Sequence, residues 1–160
     1  MKTVGIAMLF GLCCMIGVRL GAKKTARLEE IRSIRSDLQM LSERFAAGGG
    51  TLREIAGELN GKLSVILHIY LDLLGAGSGE ANAAEQAISG LCCSGSEQAG
   101  IRMFLTGLSS AARSDLIART RLLSSVLERA EAEAETEAKQ ARVLRISGVL
   151  TGAGLAILLM

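Results

Sequence analysis

The sequence predicts an all-α protein: an antiparallel helical bundle of about six helices between N- and C-terminal transmembrane helices. Three observations carry this. The chain has no Pro, so no residue lacks the backbone donor a long helix needs. Apolar residues recur at steps of three and four, without a sustained two-residue alternation. Both ends of the 160-residue chain are apolar runs, with Lys and Arg gathered on their inner sides.

The N-terminal run comes first. Thr3 to Val18 carries no charge, Arg19 interrupts, and Leu20 to Ala22 extends the run to Lys23. About twenty residues at ~1.5 Å each span ~30 Å, the thickness of a bilayer core. Arg19 stands near the end of the run, where its head can reach the interface. A cleaved signal peptide would place its charge before the run and small residues after it. Here Arg19, Lys23, Lys24 and Arg27 follow instead, so an uncleaved anchor is expected.

The emerging helix continues with Leu28, Ile31, Ile34, Leu38, Leu41 and Phe45 as one apolar stripe. Gly48-Gly49-Gly50 should end it, because glycine resists helical order and supplies left-handed caps. Thr51-Leu-Arg-Glu54 is a capping box and should start the next helix. Gly57 and Gly61 weaken that helix, and a break is expected before Lys62. Leu63 to Leu74 is apolar nearly all round and reads as a buried central helix. Gly75 to Gly79 is a flexible turn. Glu80–Leu91 and Glu97–Leu105 read as two shorter helices, with Cys92–Ser96 between them.

A last long helix is expected from Ser109 or Ser110 into the C-terminal run. Its seam is Leu116, Thr120, Leu123, Leu127, Ala130, Ala134, Ala138 and Ala141, the spacing of a helix-packing face. The first helix is the expected partner, since both join adjacent spans. Ile146 to Met160 spans ~22 Å if straight, and Val143 and Leu144 lengthen it. The expected domains are thus 1–22, a transmembrane anchor; 23–142, a cytoplasmic helical bundle; and 143–160, a C-terminal transmembrane helix. Arg19, Lys23, Lys24, Arg27, Arg32 and Arg35 follow the first span, and Lys139, Arg142 and Arg145 precede the second. The positive-inside rule therefore places Lys23–Arg142 in the cytoplasm and both termini outside. Gly17-x-x-x-Gly21 and Gly148-x-x-x-Gly152 offer close-approach faces for transmembrane packing.

Composition narrows the function classes. Mean hydropathy is +0.38. Net charge is only +2, with three Phe, one Tyr and no Trp, which argues against a nucleic-acid partner. The four cysteines are two adjacent pairs, Cys13-Cys14 and Cys92-Cys93. Adjacent cysteines rarely have bridging geometry, and no metal spacing is present, so reduced, buried thiols are expected. His68 is the one histidine; with Asp72 four residues on, it forms a hydrogen-bonding pair at most. No phosphate loop, nucleophile elbow or zinc signature occurs. No enzyme activity, metal or cofactor is expected. Glu131, Glu133, Glu135 and Glu137 read as a solvated helix face, or as a patch for a basic partner.

Several segments together resemble the stage III sporulation protein AB family, itself similar to the cytoplasmic domain of the type II secretion platform protein (GspF-like). They are the short anchor running into a basic helix; Leu41-x-Glu43 followed by Gly50-Thr51-Leu52-x-Glu54; Arg121-Leu122 and Leu127-Glu128-Arg129 with a Glu/Ala-rich helix; and the ending Ser147-Gly148-x-Leu150-x-Gly152-x-x-Leu155 to Leu159-Met160. The chain departs from the family in having Thr51-Leu52 in place of Thr-Pro-Leu. It also has Leu108-Ser-Ser-Ala-Ala112 in place of Leu-Gly-x-x-Asp. The resemblance implies a non-enzymatic membrane platform of a secretion-like channel between mother cell and forespore, in the mother-cell membrane around the forespore. Its implied partners are a secretion-type ATPase (stage III sporulation protein AA-like), other channel subunits, membrane lipid and a possible homo-oligomer. Glu43, Arg44, Thr51, Leu52 and Glu54, at the capped turn, are the expected partner-facing or fold-defining residues. The alternative is a self-associating membrane coiled-coil scaffold without an ATPase partner.

Overall fold

The computed structural model describes the backbone of residues 2–48, 50–108 and 111–158, and the side chains of 15, 19, 22–48, 50–108, 111–112, 114–143 and 146. Six helices account for nearly all of it, and no strand occurs among the described residues. In order they are α1 (Lys2–Ala47), α2 (Leu52–Glu58), α3 (Lys62–Gly75), α4 (Glu80–Ile88), α5 (Gly95–Leu105) and α6 (Arg113–Leu158). The chain divides into two compact units, one of residues 1–28 with 132–160 and the other of residues 29–131.

The 29–131 unit is built around the α1 stripe. Ile31, Ile34, Leu38, Leu41 and Phe45 are all buried, as their three- and four-residue spacing requires. Buried in the same unit are Leu63, Ile66, Leu67 and Tyr70 of α3, Ile101, Phe104 and Leu105 of α5, and Leu123 and Leu127 of α6. Helices α2 and α4 pack on α3, and α5 packs on α4. The central helix α3 is not buried all round: Val65 is 56% exposed and Ile69 41%. A helix on the outside of a small bundle keeps one stripe in water even when that stripe is apolar. Tyr70 is fully buried, and its hydroxyl has no hydrogen-bond partner among the described residues. Burial first, and the nearby Glu80 charge second, raise its pKa.

Short helices leave their end groups unpaired, and here side chains from other elements supply the partners. Asp37 of α1, itself buried, accepts from the N–H groups of Gly61 (3.1 Å), Leu63 (3.0 Å) and Ser64 (3.4 Å). Ser33 Oγ accepts from Lys62 N–H at 3.0 Å. Glu30, also on α1, accepts from Cys92 N–H at 2.7 Å and meets Lys62 Nζ at 3.5 Å. Glu80, opening α4, accepts from Gly107 N–H at 2.8 Å just beyond α5. Arg119 of α6 donates to the carbonyls of Thr106 (2.6 Å) and Met103 (3.3 Å). So α1 fixes where α3 begins and where the α4–α5 turn lies, and α6 closes α5.

Within this unit α1 and α6 run antiparallel through an ion-pair rack. Arg32 Nε meets Glu131 at 2.9 Å, Arg35 Nη1 meets Glu131 at 2.7 Å, and Arg35 Nη2 meets Glu128 at 3.4 Å. In the other unit Glu137 meets Arg27 at 3.2 Å and Lys24 at 3.9 Å, while Glu135 meets Lys139 at 3.2 Å. Two carboxylates of the acidic run, Glu131 and Glu137, therefore have their basic partners on α1 of the same chain, whereas Glu133 is exposed.

The expected transmembrane helices have a mixed outcome. The backbone is helical through both terminal runs. Nearly all their side chains, including those of Cys13 and Cys14, lie outside the described residues, and so does the packing expected at Gly17, Gly21, Gly148 and Gly152. Among the described residues, no helix is long and apolar enough to cross a membrane. The paired cysteines of the central part also differ from expectation: both are free thiols, but Cys92 is exposed and only Cys93 is buried. Helix α6 begins at Arg113 rather than at Ser109 or Ser110, which lie outside the described residues.

Candidate partner-binding site

The capped turn is positioned by two glycines in the left-handed region, Gly48 (φ 85°) and Gly50 (φ 84°), which stop α1 and turn the chain into α2. Gly48 N–H closes the last turn on Arg44 O at 3.1 Å. The capping box then forms in full. Glu54 N–H donates to Thr51 Oγ1 at 3.3 Å, and Thr51 N–H donates to Glu54 Oε2 at 2.7 Å. Thr51 and Glu54 satisfy each other, so their side chains act first as a cap.

The neighbouring charges are also engaged. Arg44 pairs with Glu58 at 2.8 Å, both side chains about half exposed (53% and 50%). Glu43 is exposed and accepts from Gln39 Nε2 at 3.3 Å, one helical turn back. Leu52 is different: half-buried, it lines an open cleft of about 270 Å³ with Arg44, Phe45, Ile55, Ala111 and Leu116. The five expected residues are thus brought to one corner of the bundle, where Arg44 and Leu52 border the cleft and Thr51 and Glu54 hold its edge.

Ala111 and Leu116 were not anticipated at this corner. They come from the far end of the unit's sequence, and no local pattern announces them. Arg32 and Arg35 were likewise not assigned to Glu128 and Glu131, although a signal existed. Each pair is spaced by three residues with opposite charge, as two facing helices require. The hydrogen bonds from Arg32 first, then from Arg35, hold the Glu131 carboxyl below its ordinary pKa, and the Glu131 hydrogen bond raises that of Arg35.

The His68–Asp72 pair does not form. Asp72 Oδ1 accepts from Arg53 Nη2 at 2.6 Å instead, because α2 packs beside this end of α3. Among the described residues, no three His, Cys, Asp or Glu side chains converge as a metal site requires.

Comparison with known proteins agrees with the resemblance read from the sequence. The model of the stage III sporulation protein AB family matches residues 2–160. A solved structure of stage III sporulation protein AB (SpoIIIAB) is similar at 27% identity and a TM-score of 0.56, over 71% of this chain and 96% of that one. No curated protein matches. With its helical order, capped turn and whole-length match, the chain belongs to the stage III sporulation protein AB family.

Proposed function

We propose that this chain is a membrane-anchored structural platform of the sporulation channel between mother cell and forespore. It binds a secretion-type ATPase through the 29–131 unit. The terminal apolar runs are its two membrane legs, the central unit lies in the mother-cell cytoplasm, and both termini lie outside. The single observation that carries the partner-binding part is the corner at the capped turn. Leu52 presents apolar surface to an open cleft beside a rigid box of internally satisfied polar groups. Such a preorganised apolar site pays little ordering entropy on docking.

Co-purification of the detergent-solubilised full chain with the candidate ATPase tests this reading. The native chain is expected to retain the ATPase, and Leu52→Glu to lose it while keeping its helical content. Thr51→Ala separates capping from contact: it should lower stability by about 0.5–2 kcal/mol yet still retain the ATPase below its unfolding temperature. Retention by Leu52→Glu would move the contact elsewhere.

The self-associating scaffold has one observation in its favour. Met103 (57% exposed) and Leu122 (51% exposed) flank an apolar groove of about 270 Å³ between α5 and α6. A concentration-dependent mass in light scattering that Met103→Glu abolishes, with no ATPase retained, would favour it.

A further inference from the structure

In the unit formed by residues 1–28 and 132–160, Lys and Arg outnumber the carboxylates, which are Glu133, Glu135 and Glu137. No Asp or Glu occurs in residues 1–28, and none occurs after Glu137. Glu137 is occupied by Arg27 and Lys24, and Glu135 meets Lys139. Beyond that contact, toward the apolar run of each helix, stand Arg19 and Lys23 on α1 and Arg142 on α6. All three are exposed, and none has an ion-pair partner among the described residues. Arg19 is five residues past Lys24 and Arg142 five past Glu137, about 7.5 Å of helix in each case, so the cations stand at matching heights.

What lies beside them is apolar. Met15 is 62% exposed, Val143 66% and Ile146 57%. Met15, Arg19 and Lys23 follow one another at four-residue steps, as do Arg142 and Ile146, so each set shares one helix face. Each face therefore passes directly from exposed cation to exposed hydrocarbon. A soluble anion would neutralise the cations but leave Met15, Val143 and Ile146 in water. A phospholipid offers both halves: a phosphate for the cations and acyl chain for the apolar side chains.

We infer that Arg19, Lys23 and Arg142 form a binding collar for the phosphate-bearing headgroups of anionic phospholipids, whose acyl chains cover Met15, Val143 and Ile146. This rests on the membrane reading above and adds to it a chemical preference. Any bilayer would satisfy the apolar runs, whereas the collar selects lipids with net negative charge. The selectivity is electrostatic at an exposed site, so salt screens it.

The full chain reconstituted in phosphatidylcholine vesicles tests this with spin-labelled phosphatidylglycerol and spin-labelled phosphatidylcholine as probes. Motionally restricted probe reports lipid held at the protein surface. Phosphatidylglycerol is expected to associate at least about fivefold more strongly than phosphatidylcholine. The combined variant Arg19→Gln, Lys23→Gln and Arg142→Gln should lose most of that preference with unchanged helical circular dichroism, since Gln is as good a helix former. Arg129→Gln, an exposed change in the other unit, should keep it, and glycerol phosphate in solution should not compete. Equal association of the two probes with the native chain would overturn the collar and leave the membrane reading standing. So would selectivity that survives the triple substitution. Competition by glycerol phosphate would overturn the lipid as occupant. Failure of the chain to restrict either probe would overturn the membrane reading and the collar together.

Discussion

Among the described glycines, Gly61 has the least room for a side chain. A Cβ there would stand 2.5–2.6 Å from both carboxylate oxygens of Asp37 and from Ser33 Oγ, closer than atoms pack. Those oxygens approach so near because they accept the first N–H groups of α3, and a buried carboxylate with three such donors has little freedom to retreat. Gly61→Ala is therefore expected to destabilise by about 1–3 kcal/mol through overpacking, measured as a lowered midpoint in urea. In an Asp37→Ala background the added methyl should cost much less, because the opposing carboxylate is gone. An equal loss in both backgrounds would mean that the glycine matters for another reason. The sequence shows Gly61 only as a helix breaker before Lys62. Its tie to Asp37 lies 24 residues upstream, and no local pattern encodes it.

At the scale of elements, α1 and α6 meet through a buried seam and a rack of charges. Most of the seam was legible: Thr120, Leu123, Leu127, Ala130, Ala134 and Ala141 are buried, while Leu116 and Ala138, the other two residues read from the sequence, are half-buried. The rack was only half legible: α1 was the expected partner of α6, but which Arg meets which Glu depends on the register between the two helices, and no local pattern sets it. The α5 start shows a different miss. Ser94-x-x-Glu97 has the same capping pattern as Thr51-x-x-Glu54, and Ser94 N–H does donate to Glu97 at 2.6 Å, so α5 begins two residues before Glu97. The rack also sets a pH dependence. The Glu131 carboxyl titrates below its unfolded value, so its contribution to stability is present above the unfolded carboxylate pKa and is lost as pH falls through the lower folded one. Stability of the native chain should thus fall with acid in and below the ordinary carboxylate range. Glu131→Gln should show a shallower fall there, by chemical denaturation at a series of pH values. Partial exposure of the arginines keeps the difference small, of order 1 kcal/mol. Identical pH profiles would show that the rack holds no proton-linked energy.

For the whole molecule, the family, the all-α class and the order of helices were legible because turns and caps are local signals. The corner at Leu52 was only partly so, since two residues of its cleft, Ala111 and Leu116, come from the other end of the unit. The proposed orientation is open to a chemical check through Cys92, the exposed thiol. In a chain with Cys13 and Cys14 replaced by Ser, an impermeant maleimide should leave Cys92 unmodified in intact cells and label it after permeabilisation. Labelling in intact cells would reverse the topology.

Orientation and partner are both reached by one measurement: site-specific photo-crosslinking from position 52 in sporulating cells, read by mass spectrometry of the adduct. A crosslink to a secretion-type ATPase is expected, lost when the probe is moved to the exposed position of Arg129 on α6. A crosslink from position 52 to a second copy of this chain, with no ATPase adduct, would contradict it.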